Sequence, residues 1–405
     1  MNNKDEIYRQ AQKYDSFYLY DETEIIKRVN HLKNHFHNVK FLYSIKTNAN
    51  QNVVHSILSK GFGVDAASVA EVMMGKSENV SKDDIQYSAP GKTKKNIEDT
   101  IHISTIIADS INEINLIDAV AQEQKVIAKI GVRLNPNFSF DHDEGISSKF
   151  GIDEDYFFEM LDDILKFQNI EIVGLHIHIR SQELKDEKLG KYYENVLNLA
   201  NRVQSKLGYD LMFINMGSGI GIPYEVSDIE VNIQKLAEQT NQLIESLLQT
   251  LLHTQIYIET GRYVVGKSGI YVSKVLDKKI SFGKKYVILH NTLNGFIRPS
   301  ISQLVAKYSG DKKLASSEPL YTSKNPSQII TLHEERELEV VELVGNLCTA
   351  TDVVATNIEL PLLEIGDIVI FTNAGSYAAV LSPMQFSSQI PPKELFLTVD
   401  GNINI

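Results

Sequence analysis

The sequence predicts an α/β chain made of a (β/α)8 barrel of the TIM type followed by an all-β domain. Three observations carry this. Eight short apolar, β-branched runs each precede a stretch with helical spacing, over roughly 230 residues. After about residue 260 strand-like runs recur without long helices between them. The chain has 405 residues and 43% hydrophobic content, enough for a large core and outside the disordered and disulfide-scaffold classes.

The eight runs are VKFLYSI (39–45), FGVDA (62–66), IQYSA (85–89), TIIAD (105–109), IAKIGVRLN (127–135), IEIVGLHIHI (170–179), LMFINMG (211–217) and TQIYIET (254–260). Between them, KYYENVLNLANRVQSKLG and IQKLAEQTNQLIESLLQTLL space their Leu and Val positions as amphipathic helices. Beyond them, GIYVSKVL, KKYVILHN, LEVVELVG, DIVIFTNA and ELFLTVD are separated by Gly, Pro, Asn and Asp turns, as in a β-barrel or sandwich. The Lys- and Ser-rich stretch from Lys307 to Gln328 reads as a surface excursion. Residues 1–22 are expected to pack on the β domain, 23–260 to form the barrel, and 261–405 to form the all-β domain.

Fifty-two acidic against forty basic residues give a net charge of −12, which argues against general attraction to nucleic acid or anionic membranes. Any phosphate must be held locally. No apolar run approaches the ~18 residues of a membrane span. The N-terminus MNNKDEIYRQAQ lacks the apolar stretch of a signal peptide, and one cysteine, Cys348, permits no internal disulfide. A cytoplasmic location is the expectation.

Active sites of such barrels lie at the C-terminal ends of the strands, and chemistry-bearing residues gather there. Lys46, Asp65, Ser88, Asp109 and Arg133 end the first five strands. His176 and His178 end the sixth, the turn Gly217-Ser218-Gly219-Ile220-Gly221 the seventh, and Glu259 with Arg262 the eighth. Lys46 could form a Schiff base or lie along the barrel as a snorkelling lysine. The glycine turn could present backbone N–H groups to an anion or be a tight turn only. The histidines could ligate metal, but no third ligand clusters with them, and no metal is expected. Glu259 could pair with Arg262 or sit under a heterocyclic nitrogen, with Arg262 towards a substrate carboxylate. Taken together, a lysine, a phosphate cup, a flat side chain and a carboxylate describe a pyridoxal phosphate (PLP) site.

Several motifs then carry a resemblance over essentially the whole chain. YSIKTNAN, GVDAASVAE, HIHIRSQ, NMGSGIGIPY, IETGR, VGNLCTATD and NAGSY resemble, in order, motifs of the PLP-dependent decarboxylases with the alanine-racemase-like fold, which include diaminopimelate and ornithine decarboxylases. The resemblance implies a PLP-binding barrel in which Lys46 holds the cofactor covalently. It brings in Asp65, Ser68 and Glu71 from the second motif, stacks His178 on the ring, and puts Ser181 near the phosphate. Gly217, Ser218, Gly219 and Gly221 form the phosphate cup, and Glu259 meets the pyridine nitrogen. Arg133, Gly261, Arg262 and Tyr377 complete the cofactor set. Cys348 becomes a general acid that reaches the partner subunit's cofactor, which implies a homodimer with shared sites acting on a small amino acid. A basic residue at Glu259's place would favour racemisation, so the glutamate favours decarboxylation.

Substrate choice is read from departures. SSKFGI and GIPY resemble the diaminopimelate branch, where a glutamate usually follows the cysteine to hold a distal amino group; here Thr349 stands there. Arg180 replaces a usual glycine, Ser218 a glycine of the cup, Thr260 a proline, and Ser302 a common tyrosine. GNLCTATDVVA and ETGRYVVGKSGIYVSKVLD look closer to the branch that decarboxylates citryl-diaminopropionate in siderophore synthesis. Arg180, Arg262, Arg298, Thr349 and Asp352 are the candidate substrate contacts, the arginines suiting a substrate with several carboxylates. The expectation is decarboxylation of a modified or carboxylate-rich L-amino acid. The alternatives are meso-diaminopimelate decarboxylation in lysine synthesis and a non-catalytic homologue that binds a protein, although Lys46 and Cys348 are both retained.

Overall fold

A computed structural model describes residues 4–142, 144–225, 227–247, 253–309 and 329–405. Eight parallel strands close into a barrel: β2 (Val39–Ser44), β3 (Gly63–Ala66), β4 (Ile85–Tyr87), β5 (Thr105–Ala108), β6 (Ala128–Asn135), β8 (Ile170–His176), β9 (Phe213–Asn215) and β10 (Gln255–Thr260). The ring closes through β5 against β6 and β10 against β2, and the two-residue β7 (Ile152–Asp153) adds to the edge of β6. Each of the eight sequence runs contains one barrel strand. Outside lie α2 (Glu22–His35), α3 (Gln51–Leu58), α4 (Val69–Ser77), α5 (Lys94–Thr100), α6 (Ile111–Gln124), α7 (Glu154–Ile164), α8 (Asp186–Leu207) and α9 (Ile233–Ser246). Their starts are capped as the sequence allows: the side chains of Asp21, Asn50, Ser68, Thr93, Ser110 and Asn232 accept first-turn N–H groups.

Leu42, Ile107, Val173, Phe213 and Tyr257 make a separate apolar plug. Gly174 faces the Phe213 ring so closely that a Cβ there would lie 2.1 Å from it, so the glycine makes room for the aromatic filling. Glu259 follows Tyr257 by two residues on β10 and therefore shares its face of the strand.

The second sheet is mixed, in the order β15 (Val353–Pro361), β14 (Leu338–Gly345), β12 (Lys284–Leu289), β11 (Gly269–Ser281), β1 (Ser16–Asp21), β17 (Lys393–Leu397), β18 (Ile403–Asn404). β16 (Ile368–Phe371) pairs with both β11 and β13 (Ile329–Thr331). The amino-terminal segment is thus a central strand here: β1 runs antiparallel to β11 and parallel to β17. Phe17 and Leu19 enter a small core with α1 (Lys4–Ala11), while Tyr18 and Tyr20 join the main core.

One difference from the sequence reading is a twelve-residue helix, α11 (Arg298–Ser309), in the region expected to hold only strands. Pro299 sits in its first turn, where the missing N–H costs nothing, and the proline masked the helix as a breaker. The short α10 (Arg262–Val265) follows β10 directly. Residues 310–328, most of the expected polar excursion, lie outside the described residues, as does the end of the helical run before His253.

Because β1 is buried on both faces, truncating it should cost core stability. Phe17→Ala is expected to destabilise the protein by about 3–5 kcal/mol in a denaturant titration. An unshifted midpoint would show that the strand is dispensable.

Candidate active site

The barrel mouth collects the sequence candidates from separate strands. Lys46 lies in a single 3-10 turn, Ile45–Thr47, that follows β2. Its Nζ stands 2.7 Å from Asp65 Oδ2 at the end of β3, and Asp65 Oδ1 accepts a 2.6 Å bond from Ser88 Oγ beyond β4. Asp65 is wholly buried, whereas the Lys46 side chain keeps 41% of its surface accessible, because it projects into the open mouth. Burial alone would lower the lysine's pKa, but the Asp65 and Glu259 charges outweigh it and hold the ammonium well above its ordinary value.

Glu259 is a second buried carboxylate. His176 Nε2 lies 3.0 Å from its Oε1, and Asn215 Nδ2 donates to the same oxygen at 3.0 Å. Desolvation pushes this carboxyl up, but His176 and Lys46 pull it well below the usual carboxylate range, so it remains ionised. His176 and His178 therefore have different partners. His178 Nδ1 accepts the Ser218 N–H at 3.1 Å, and burial, with Arg133 and Lys46 nearby, pushes its pKa down to about 3 despite Glu259. The ring is neutral at working pH and carries its proton on Nε2. Arg133 donates to the His178 carbonyl at 3.1 Å, lies 3.7 Å from Asp109, and stacks on Phe150.

The glycine turn runs against these strands. Gly217 has φ +66°, and a Cβ there would lie 2.3 Å from the Ile177 carbonyl; Gly219 has φ +155°. At Gly221 a Cβ would meet Gln182 at 2.9 Å. The turn is thus close-packed backbone at its three glycines. Gly261 is packed on Thr47, and Arg262 NH1 donates to Tyr224 Oη at 3.1 Å while its guanidinium lies 4.6 Å from the Tyr377 ring centroid. Tyr377 comes from the β domain and holds φ +51°, unusual for a tyrosine. Its N–H bonds Thr47 O and its carbonyl accepts from Arg298 Nε, each at 2.9 Å. Arg298 is buried within 6.0 Å of the Tyr224 and Tyr377 rings.

Seven candidates have other surroundings. Ser68 is the N-cap of α4, its Oγ accepting the Glu71 N–H, while Glu71 bonds Ala67 N and is raised to about 7 by burial. Ser181 lies in the loop after β8, half-buried and one residue from Arg180. Arg180, expected to meet substrate, is engaged elsewhere: it pairs with Asp141 at 2.7 Å and Glu183 at 2.5 Å, so two carboxylates already neutralise it. Asp352, also expected to meet substrate, is 3% exposed, and its oxygens accept from Thr292 Oγ1, Leu293 N and Leu347 N. It fastens its own loop. Cys348 is exposed on that loop between β14 and β15, and Thr349 Oγ1 lies 2.9 Å from Thr351 Oγ1.

Two side chains were missed by the sequence reading. Asn215 bonds Glu259 and Gln86 through Nδ2 and accepts the Gly217 N–H at 2.8 Å, tying the acid to the cradle. Tyr224 orients Arg262 from the end of the glycine segment. A buried amide at the end of the apolar run LMFINMG was the available signal for Asn215.

An accessible lysine, a backbone cradle, a neutral imidazole and a buried anion fit a phosphorylated, aldehyde-bearing heteroaromatic cofactor. Residues 22–266 match the family described as pyridoxal-dependent decarboxylase, pyridoxal binding domain. The chain belongs to this family. It is a PLP-dependent decarboxylase, and its barrel with a carboxy-terminal β domain is that of its relatives. The L-glutamyl-[BtrI acyl-carrier protein] decarboxylase of Niallia circulans is 27% identical over 94% of this chain and 88% of its own. A diaminopimelate decarboxylase of Helicobacter pylori strain J99 is 29% identical over 95% and 90%. The crystal structure of diaminopimelate decarboxylase from Helicobacter pylori complexed with L-lysine superposes with TM-score 0.79, at 26% identity over 96% of this chain and 92% of that one.

The low pKa of His178 has a measurable consequence in the apoprotein. The unfolded chain takes up this proton near pH 6.5 and the folded one only near pH 3, so the contribution is intact above 6.5 and is lost as pH falls through that window. His178→Gln should lose less stability than the parent between those pH values in urea titrations. Parallel acid profiles for the two proteins would mean that His178 already titrates normally.

Proposed function

We propose that this decarboxylase acts on an L-amino acid whose distal end is acylated or carboxylate-bearing rather than a free ammonium, with the citryl conjugate of diaminopropionate as the first compound to test. The carrying observation is the loop around Cys348. It offers a neutral hydroxyl at Thr349, and its one carboxylate, Asp352, is buried with its oxygens committed to Thr292, Leu293 and Leu347. An ammonium at that place would go without an anionic partner. The relative named as an L-glutamyl-[BtrI acyl-carrier protein] decarboxylase lends support, since a glutamyl group carries no distal ammonium. A role in siderophore or other specialised synthesis is the reading that accommodates such a substrate.

PLP, when bound, supplies an electron sink for the pair left at Cα as CO2 departs. In the proposed assignment Lys46 holds its aldehyde carbon, the Gly217–Gly221 cradle with Ser181 and Tyr377 holds its phosphate, and His178 covers the ring face. A neutral His178 does this without repelling a positive ring. The ionised Glu259 favours a protonated ring nitrogen by simple attraction, which strengthens the sink. Arg298 and Arg262 supply positive charge for carboxylates at the mouth. Cys348, exposed on a single chain, is assigned as the proton donor to Cα in a second subunit's site, and the protein as a homodimer with shared sites. The absence of a membrane-length apolar helix among the described residues is compatible with the proposed cytoplasmic location.

CO2 release from meso-diaminopimelate, L-lysine, L-ornithine and citryl-diaminopropionate separates the readings. Turnover of the citryl conjugate alone is expected; turnover of diaminopimelate alone would assign lysine synthesis instead. For shared sites, Lys46→Ala should abolish the long-wavelength absorbance of lysine-bound cofactor, and Cys348→Ala should keep it but lower turnover. Mixing the two variants should restore part of the activity, and no recovery in demonstrated heterodimers would make each site self-contained.

A further inference from the structure

Arg180 stands where the family resemblance expects glycine, and its surroundings give it a task of their own. Residues 139–142 form a tight turn in the segment after β6: Ser139 N donates to His142 O at 2.8 Å, and Ser139 Oγ and His142 exchange further bonds. The turn presents two neighbours to the mouth. Phe140 stacks on Tyr192 at 4.6 Å, and its ring tip is 3.5 Å from where a Cβ of Gly219 would lie. Tyr192 in turn donates to the carbonyls of Ile177 and Met216 at the strand ends beneath the cradle. Asp141 bonds Arg180 and Lys188.

Arg180 joins this turn to the cradle. Its guanidinium lies 4.8 Å from the Phe140 ring centroid and bonds Asp141 on one side and Glu183 on the other. Glu183 is stitched by its backbone to the cradle itself, donating to Gly219 O at 2.8 Å and accepting from Gly221 N at 3.0 Å. Asp141 is pulled down to about 2 by its bonds to Lys188 and Arg180, so the pair stays charged across the working pH range. A glycine at 180 would leave Phe140 with no cation above it and Asp141 with Lys188 as its remaining partner.

We infer that Arg180 is a positioning residue for the cofactor phosphate: its ion pair with Asp141 holds the Phe140 ring against the Gly217–Gly221 cradle and keeps water from the phosphate. This rests on the proposal that the cradle holds that phosphate. The chain thus clamps its cofactor with a residue at a position where the family resemblance expects glycine, rather than using Arg180 on substrate.

Titrating the apoprotein with PLP and with pyridoxal, which lacks the phosphate, tests the clamp and the cradle separately. Arg180→Gly and Asp141→Asn should each weaken PLP binding roughly fivefold, the scale of a partly exposed ion pair. Pyridoxal binding should not change. Asp141→Glu should stay near the parent, and the double variant should be no weaker than the weaker single one, because the two residues act through each other. PLP affinity in 0.5 M NaCl, on the order of a threefold shorter Debye length than at low salt, should fall more in the parent than in the variants. Tighter binding of PLP than pyridoxal in every protein, with parent and variants alike, would overturn the clamp and spare the cradle. Equal affinity of the parent for PLP and pyridoxal would overturn the cradle, and the clamp with it. A raised KM for substrate in Arg180→Gly with unchanged PLP affinity would return Arg180 to the substrate.

Discussion

The site is organised around one buried anion. Glu259 is 2% exposed, and an ionised carboxylate at that depth persists only if neighbouring donors replace the water it has lost. Asn215 does so from β9, and the charges of His176, 3.0 Å away on β8, and of Lys46, in the turn after β2, add attraction. Asn215 has a second duty. Its carbonyl oxygen takes the N–H of Gly217, so the same side chain that holds the acid sets the first residue of the anion cradle. The acid and the glycine turn, proposed to meet the ring nitrogen and the phosphate, are thereby tied together by one buried amide. Loss of that amide would strand a carboxylate, a glutamine and a backbone N–H together, which is a far larger disturbance than loss of one bond.

Closure of the site depends on the β domain as much as on the barrel. Asn48 Nδ2 bonds Gly375 O, and Tyr377 N–H bonds Thr47 O, so the turn that carries Lys46 and the turn that carries Tyr377 are hydrogen-bonded to each other. Tyr377 tolerates its positive φ because both its backbone groups are spoken for, the carbonyl by Arg298. Behind them Tyr18, Tyr271, Phe296 and Phe371 pack edge and face around the start of α11. The amino-terminal strand therefore supports Arg298 from a distance of nearly three hundred residues in sequence: Tyr18 Oη donates to Gly295 O, three residues before the arginine.

The strand order of the barrel was legible because a parallel strand buried on both faces reads as a short unbroken apolar run, and the run's polar terminus marks the mouth. Lys46, Asp65, His178 and Glu259 were visible for that reason. What the sequence hides is which polar atoms are already taken. Arg180 and Asp352 look like substrate groups in the one-dimensional pattern, and neighbours remote in sequence, Asp141 for one and Thr292 for the other, occupy them. The helix α11 was hidden by Pro299, which terminates helices except in the first turn, and that exception is invisible until the start is known. β1 was foreseen as a segment lying on the β domain, but not as a strand in the middle of its sheet, because pairing partners some 250 and 375 residues away leave no local mark.

The burial of Asp352 also bears on specificity by charge alone. A thiol, a hydroxyl and a spent carboxylate make the Cys348 loop electrically neutral towards a ligand, while Arg262 and Arg298 place positive charge beside Tyr377 in the chain's own site. A substrate end bearing ammonium would meet cations and no free anion from these residues; one bearing carboxylates would meet cations alone. On the proposed reading, the sign of the distal charge is the first property this arrangement selects. On that reading, acylation of the distal amine, which removes its charge, is the smallest chemical change that would turn a disfavoured diamino acid into an acceptable one.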